Sequence, residues 1–265
     1  MQDKIVVIAG DFHCGSGVGL TPPDWQMKPV KSCPLHTKRA RVGAAIWREF
    51  KKGMKLLLKK PADLLILTGD LIDGTGERSG GTEQLTTDRL EQCKMAEEVI
   101  RNIPHNNLVA VYGTPYHTGC AEDYEEAIIR NMGGKIGSHE WVKVRGTDLV
   151  FDVKHFIAGS SIPHGVATPV LRDSVWSGLW SGRGEQPRSD IIVRGHQHTF
   201  VNCRTSDMEV TVAPALQGYG NKFGSRRCSK TVDWGFLLYR ITTHDRYLTP
   251  YIVRIPEHKP EVYLA

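Results

Sequence analysis

Short, almost wholly apolar runs alternate along this chain with longer stretches of helical periodicity, and this alternation limits the folds that the chain can adopt. The run Leu64 to Leu67 contains no polar residue, so it suits a strand that is covered on both faces. The runs that we predict as strands are Lys4 to Ala9, Leu64 to Thr68, Leu108 to Tyr112, Leu149 to Val153, Phe156 to Ala158 and Ile191 to Arg194.

Helical patterns lie between these runs. From Lys38 to Lys60, apolar residues recur every three or four positions and line one helix face. Thr86 to Ile103 ends before Pro104, and Glu122 to Met132 is followed by two glycines, so both are predicted as further helices. Strands and helices that alternate at these lengths predict an α/β layered fold.

The last third of the chain is rich in strand-like segments joined by short polar links. They are Phe200 to Cys203, Glu209 to Ala213, Phe236 to Thr242 and Tyr247 to Arg254, and we expect an antiparallel meander or a second sheet. Because no repeat or linker separates the two parts, a single domain over residues 1–265 is predicted. Two irregular stretches, near residues 15–37 and 74–85, are predicted loop insertions that face the substrate, with a plain surface excursion as the alternative.

Composition and charge exclude several classes of protein. The 265 residues are 40% hydrophobic and 24% charged, as in soluble globular proteins. A net charge of +5 is compatible with an anionic substrate but lacks the dense basic stripe of a nucleic-acid-binding protein. Six scattered cysteines without a Cys-x-x-Cys pair do not predict a disulfide framework. The first apolar run is too short for a signal peptide or a membrane span, so we expect a cytoplasmic protein without a membrane partner.

Side chains of the types that can bind metals, Asp and His, follow four of the predicted strands. In chain order they are Asp11, His13, Asp70, Asp73, His117, His196 and His198. Ligands of open α/β sheets bind outside the carboxyl ends of the strands, so we expect these side chains to converge. Any one of them alone is a common accident, but the placement of all of them at strand ends predicts a site for two metal ions.

The ordered motifs Asp-x-His, Gly-Asp-x-x-Asp, a strand-end glycine motif with His, an isolated His and Gly-His-x-His resemble those of the calcineurin-like metallophosphoesterase superfamily, over roughly residues 4–200. The resemblance implies a four-layer α/β/β/α sandwich of two mixed sheets flanked by helices. It also implies a ligand set, with Asp11, His13 and His198 at one metal, His155 and His196 at the other, and Asp70 bridging both. Asp73 matches the second Asp of the family motif and is expected to orient a ligand or a neighbouring loop.

Two positions of the resemblance need comment. His155 lies between two short predicted strands, where the family has its isolated His, and we prefer it to His164. The family usually has Gly-Asn-His followed by Asp or Glu, in which Asn binds the second metal and His donates a proton to the leaving group. Here Thr114 stands in place of Asn, and His117 comes two residues late. We expect His117 to be the displaced proton donor; a replacement ligand and a histidine without a role are the alternatives.

The resemblance implies hydrolysis of phosphate esters, phosphodiesters in preference to monoesters. Two divalent cations about 3.5–4 Å apart would hold a bridging hydroxide as the nucleophile. A ligand set of histidines and carboxylates favours Mn, Fe, Zn, Co or Ni over Mg or Ca. Arg194 and the pair Arg226 and Arg227 are candidates for contact with the phosphate-ester substrate, because arginine binds phosphate in a bidentate manner. Solvated arginines are the alternative.

Two other functions remain open. A nuclease of the same superfamily would use the basic residues between Lys38 and Lys60 on a phosphate backbone, although a solvated helix face also explains them and the additional domains of such nucleases are missing. A catalytically inactive scaffold, of the kind found as a retromer subunit, is favoured by Thr114 and opposed by the six retained ligands. The stretches 15–24 and 113–119 look like those of uncharacterised bacteriophage-encoded members. The oligomeric state is not predicted.

Overall fold

Two mixed β-sheets pack face to face, and α-helices cover their outer faces. This computed structural model describes residues 3–118, 123–160, 162–206, 208–220, 231–242, 245–258 and 262. It has 11 strands and five α-helices in the described parts of the chain. The predicted four-layer α/β/β/α arrangement is confirmed.

The first sheet has six strands. They are β1 (Lys4–Ala9), β2 (Leu64–Leu67), β3 (Leu108–Val111), β4 (Lys135–Gly137), β10 (Trp234–Ile241) and β11 (Arg246–Val253). The order across the sheet is β11-β10-β1-β2-β3-β4. Strands β1 to β4 run parallel, whereas β10 is antiparallel to both β1 and β11.

The second sheet has five strands. They are β5 (Glu140–Lys143), β6 (Val150–Lys154), β7 (Ile191–Arg194), β8 (Val201–Arg204) and β9 (Glu209–Val212), in the order β5-β6-β7-β9-β8. Strands β6, β7 and β9 are parallel, and β5 and β8 are antiparallel edges. The last third of the chain is therefore divided, because β8 and β9 join this sheet while β10 and β11 extend the first one.

Five helices complete the layers. They are α1 (Pro34–Leu57), α2 (Arg89–Arg101), α3 (Pro115–Thr118), α4 (Tyr124–Asn131) and α5 (Thr168–Gly182). Phe50 of α1, Val99 of α2 and Ile128 of α4 are buried in one cluster with Leu65 and Leu67 of the first sheet. Helix α5 covers the second sheet through Val170. No helix in the described ranges is long and apolar enough to cross a membrane.

Burial on both faces explains the apolar runs of the first sheet. Val6 and Ile8 of β1 face the second sheet, where they join a buried cluster with Phe151. Val7 and Ala9, which point the opposite way along the same strand, belong to the cluster under the helices. Since neither face of β1 meets solvent, the strand contains no alternating polar residues.

Several elements differ from those predicted. Residues 156–158 form no strand, and Phe156 is exposed. Helix α1 begins at Pro34, inside the first predicted insertion, with proline in the first turn, where its missing N–H is tolerated. The predicted third helix included Glu122, which lies outside the described residues. Strands β4 and β5 and helix α5 were not predicted. The cysteines in the described part of the chain, Cys14, Cys33, Cys93 and Cys203, are free thiols.

Candidate metal centre

Six polar side chains converge at the carboxyl ends of β1, β2, β6 and β7. They form two groups, within each of which one ligand atom per residue lies within 4.8 Å of the others. The first group is Asp11, His13 and His198, and the second group is Asp70, His155 and His196. These are the six predicted metal ligands, and the structure brings all of them to one edge of the sandwich.

Short distances join the atoms of each group. In the first group, His198 Nε2 lies 3.2 Å from Asp11 Oδ1 and 3.3 Å from His13 Nε2. In the second group, His155 Nε2 lies 3.2 Å from Asp70 Oδ2. The same Asp70 oxygen is 4.0 Å from His13 Nε2, so this carboxylate lies between the two groups.

The backbone at the site is left-handed to an unusual degree. Five residues other than glycine have positive φ in the described parts of the chain: Asp11 (48°), His13 (45°), Asp70 (52°), His196 (68°) and His198 (52°). All five are predicted ligands. A left-handed conformation costs a residue with a Cβ roughly 1–2 kcal/mol, and such strain concentrates at functional sites. The left-handed backbone therefore lowers the stability of the fold at these five residues and sets the directions of their side chains.

Hydrogen bonds behind the ligands orient their imidazole rings. His13 Nδ1 donates to Asp73 Oδ1 at 2.9 Å, and Gln84 Nε2 donates to Asp73 Oδ2 at 2.6 Å. His155 Nδ1 donates to the Thr68 carbonyl at 2.6 Å. Both histidines thus turn Nε2 toward the cluster, as metal-binding histidines do when the other ring nitrogen is held. Asp73 thus contacts a predicted ligand, and its orienting role stays a prediction.

Asp11 tests whether the residues suit a cation. Its side chain is fully buried, and Oδ1 has no hydrogen-bond partner among the described residues. The nitrogen His198 Nε2 lies 3.2 Å from this oxygen. A buried carboxylate oxygen without a donor is costly, and a cation between it and the imidazole nitrogens of His13 and His198 would remove that cost. The donor set therefore fits a divalent transition metal.

Charges in the second group support each other in the metal-free protein. Burial opposes the charged form of His155, but the hydrogen bond and the negative charge of Asp70 outweigh it and raise the histidine pKa to about 10. Burial likewise acts against ionised Asp70, and the adjacent His155 lowers the pKa of Asp70 well below its usual range. At neutral pH this pair is a buried ion pair, and a cation that binds there displaces the proton of His155.

Thr114 lies in the middle of the second group. Its hydroxyl is 3.2 Å from Asp70 Oδ2, 3.2 Å from His155 Nε2 and 3.4 Å from His196 Nδ1. The Thr114 backbone N–H also donates to Asp70 Oδ1. The preceding Gly113 allows this approach, because a Cβ there would collide with the Asp70 backbone and carboxylate. Thr114 thus faces the second group from the position where the family has Asn.

Glu125 is a buried residue of the site that the sequence analysis missed. It lies in the first turn of α4, is fully buried, and its two oxygens accept hydrogen bonds from Leu71 N at 2.7 Å and Gly113 N at 2.6 Å. Burial and the charge of Asp70 raise the pKa of Glu125 to about 8. One carboxyl group therefore ties together the loop that carries Asp70 and the loop that carries Thr114. No local motif marks it, since its partners lie in other loops.

His117 lies beside the first group rather than the second. Its Nδ1 donates to the Asp73 carbonyl at 3.0 Å, and its ring meets the His13 ring edge-on with centroids 4.5 Å apart. Burial and the neighbouring His13 lower the pKa of His117. With Nδ1 held by Asp73, Nε2 is the ring nitrogen left to act on a bound molecule.

An open cavity of about 320 Å³ lies over the centre. Its lining includes the predicted ligands His13, Asp70, His196 and His198 together with His117, Tyr116, Arg78, Gln84, Gln217 and Tyr219. The loop at 74–85 therefore faces the cavity, and its contact with a substrate stays a prediction. The stretch 15–37 contributes no lining residue to it within the described chain, because residues 14–22 are buried against other loops.

Other predicted residues lie elsewhere. Arg194 is almost fully buried, with Nη1 2.7 Å from Asp152 Oδ1 and Nε 2.6 Å from Asp173 Oδ2. It points from β7 toward α5, so the predicted contact of Arg194 with a phosphate group is wrong. His164 is exposed and belongs to neither ligand group. Arg226 and Arg227 lie outside the described residues.

Comparison with solved structures places the fold. Vps29 of Cryptosporidium parvum superposes with a TM-score of 0.51 at 14% identity, over 95% of this chain and 92% of that one. An archaeal phosphodiesterase gives 0.47 at 16% identity over 94% and 99% of the two chains, and Vps29 of Chaetomium thermophilum gives 0.46 at 13% over 95% and 88%. At these identities the similarity concerns the fold alone. No protein-family model and no curated protein matches the sequence.

Proposed function

We propose that the protein is a metal-dependent phosphoesterase with a dinuclear centre of divalent transition-metal ions (Mn, Fe, Zn, Co or Ni). The observation that carries this proposal is the convergence of two groups of carboxylate and imidazole atoms, each with two buried members. Five of these six residues have a left-handed backbone. Asp11, His13 and His198 would hold one ion, and His155 and His196 the other. Asp70 would be shared, since its Oδ2 lies near His155 and His13.

When bound, such ions supply Lewis acidity toward a phosphoryl oxygen and lower the pKa of a bound water. The protein's own residues supply orientation. Asp73 and the Thr68 carbonyl hold His13 and His155 in place, and the loop at 74–85 and residues 217–220 wall the cavity on the substrate side. In its imidazolium form, His117 would donate the Nε2 proton to the leaving oxygen while its Nδ1–H stays bonded to the Asp73 carbonyl. The lowered pKa of His117 makes that form a stronger acid.

Ester hydrolysis by metal-stripped protein with added Mn, Ni, Zn or Mg tests the proposal. We expect turnover of bis-p-nitrophenyl phosphate that requires a transition metal and exceeds turnover of p-nitrophenyl phosphate. Turnover of the monoester alone would identify a phosphatase. Tightly bound metal without turnover of either ester would contradict the enzymatic function and favour a binding module.

A nuclease that grips DNA through α1 finds no support in the geometry. No basic residue of α1 lines the cavity over the metal ligands in the described chain. Several of these residues are instead paired on the surface, such as Arg48 with Glu257 and Lys52 with Glu49. A nucleic-acid substrate would have to enter by the cavity itself.

Glu125→Gln is expected to weaken metal binding by roughly 10- to 100-fold, the usual effect of losing a group that orients ligands. The amide can accept from either Leu71 N or Gly113 N, but its NH₂ group opposes the other N–H. Isothermal titration calorimetry with Mn or Zn measures the loss of metal affinity. The matched control is the neighbouring Glu126→Gln, because Glu126 pairs with Arg130 at the surface. Equal affinities for the two variants would show that Glu125 does not position the site.

A further inference from the structure

Helix α5 carries its large apolar side chains on the outer side. Toward the sheet it buries Val170 and Ser177 and directs Asp173 to Arg194. The residues with large exposed fractions are Leu171 (46%), Val175 (61%), Trp176 (53%), Leu179 (53%) and Trp180 (36%). This distribution is the reverse of the one expected for a helix whose outer side meets water.

These side chains form one continuous surface, which we call the α5 face. Leu171, Val175 and Leu179 follow each other at intervals of four residues, so they lie in a row along the helix. Trp176 and Trp180 flank that row on one side. Ile162 and Val166, also exposed, lie in the turn that leads into the helix. Single exposed apolar residues are ordinary, whereas a contiguous apolar face with two tryptophans marks an interaction surface.

The row of Leu171, Val175 and Leu179 is symmetric about its centre, so it is complementary to the same row on a second copy of the chain. Leu171 and Leu179 are equally spaced about Val175, so the row reads the same in both directions. A two-fold axis beside Val175 would bring Leu171 of one copy to Leu179 of the other in an antiparallel helix pair, as in an isologous dimer. A helix pair packed through rows of this spacing is common in globular proteins.

Charge and area agree with this pairing. Arg172 lies on the same side of the row as the tryptophans, and the antiparallel arrangement places it between Trp176 and Trp180 of the other copy, a favourable cation–π position. From the exposed fractions, the α5 face with Ile162 and Val166 presents roughly 650 Å². Two such faces would bury at most about 1,300 Å², near the lower limit of the range of about 1,200–2,000 Å² for specific interfaces.

We propose that the α5 face is a homodimer interface, in which α5 packs antiparallel against α5 of a second copy around a two-fold axis at Val175. The interface is separate from the metal centre, so it does not depend on the proposed enzymatic function. The sheet side of α5, through Val170 and Ser177, keeps the helix in place in each copy.

Sedimentation velocity of the full chain, from about 1 to 100 µM, tests the proposal. We expect a species of twice 29.6 kDa, and at least a tenfold weaker association for Trp176→Glu and for Leu179→Arg. The matched control is Leu90→Arg, because Leu90 is 65% exposed on α2, away from the α5 face. Circular dichroism would verify that each variant is folded.

A second variant tests the two-fold axis directly. Val175→Cys is expected to form a disulfide between two copies on mild oxidation, whereas Leu56→Cys, at a similarly exposed position on α1, is not. A wild-type monomer at the highest concentration, or a dimer unchanged in both α5 variants, would overturn the proposal. Binding of a monomeric wild type to phosphatidylglycerol vesicles would also overturn it, by assigning the face to lipid.

Discussion

Asp70→Asn is expected to lower kcat/KM for metal-dependent diester hydrolysis by roughly a thousandfold or more. A ligand shared by two metal ions holds both of them, so its loss would weaken both sites. The Asp70 carboxylate is buried and lies 3.2 Å from His155 Nε2 and 4.0 Å from His13 Nε2. Asparagine keeps the size of the side chain but offers a single neutral oxygen. The charge that compensates two cations in a buried site is lost.

Two measurements check this expectation. Hydrolysis of bis-p-nitrophenyl phosphate gives the loss of activity, and elemental analysis gives the number of metal ions retained, which should fall below that of the wild type. Asp63→Asn is the matched control, because Asp63 directly precedes β2 at its other end and pairs with Lys4. If Asp70→Asn retained full activity and metal content, the proposed centre would be in the wrong place.

His117→Gln is expected to have the second-largest effect, and that effect should depend on the leaving group. General acid catalysis contributes about 10²- to 10⁴-fold, and an alkoxide needs the proton whereas p-nitrophenolate does not. We therefore expect a loss of roughly a hundredfold or more on an alkyl phosphodiester. Hydrolysis of bis-p-nitrophenyl phosphate should change by less than about tenfold.

The comparison between substrates separates the two roles suggested for His117. If His117 is a metal ligand, the substitution would lower the activity on both substrates and reduce the amount of bound metal. If His117 has no role, the substitution His117→Gln would change the activity on neither substrate. His105→Gln serves as control, because His105 bonds the Ile103 carbonyl in the loop before β3, at the far end of the sheet. Loss of metal in His117→Gln would contradict the proton-donor role.

The convergence of the six candidate ligands could be predicted because it depends on a general property of parallel strands. Strands β1 and β2, which the apolar runs located, deliver Asp11 and Asp70 to one edge of the sheet. Arg194 could not be placed in the same way. Along β7, Val193 faces the other sheet and Ile192 faces α5, so Arg194 falls on the α5 side, and the sequence alone does not tell which side faces a substrate.

Two other features depend on partners that are distant in the chain. Glu125 contacts Leu71 and Gly113, and no sequence pattern around Glu125 predicts either contact. Helix α5 escaped notice because its apolar residues are not on the side that faces the sheet, and its glycines and serines weaken helix propensity. A pattern search assumes that apolar residues point inward, and here that assumption fails.

The left-handed backbone at the ligands has a consequence for how this chain was selected. At Asp11, His13, Asp70, His196 and His198, glycine would adopt the observed φ without strain. A chain selected for folding alone would gain stability by placing glycine at these positions. Carboxylates and imidazoles stand at these five positions instead, as expected if the proposed metal centre rather than stability decided them. Under the proposed function, the backbone angles of a single sequence thus indicate positions selected for a site, which are usually identified by comparing many relatives.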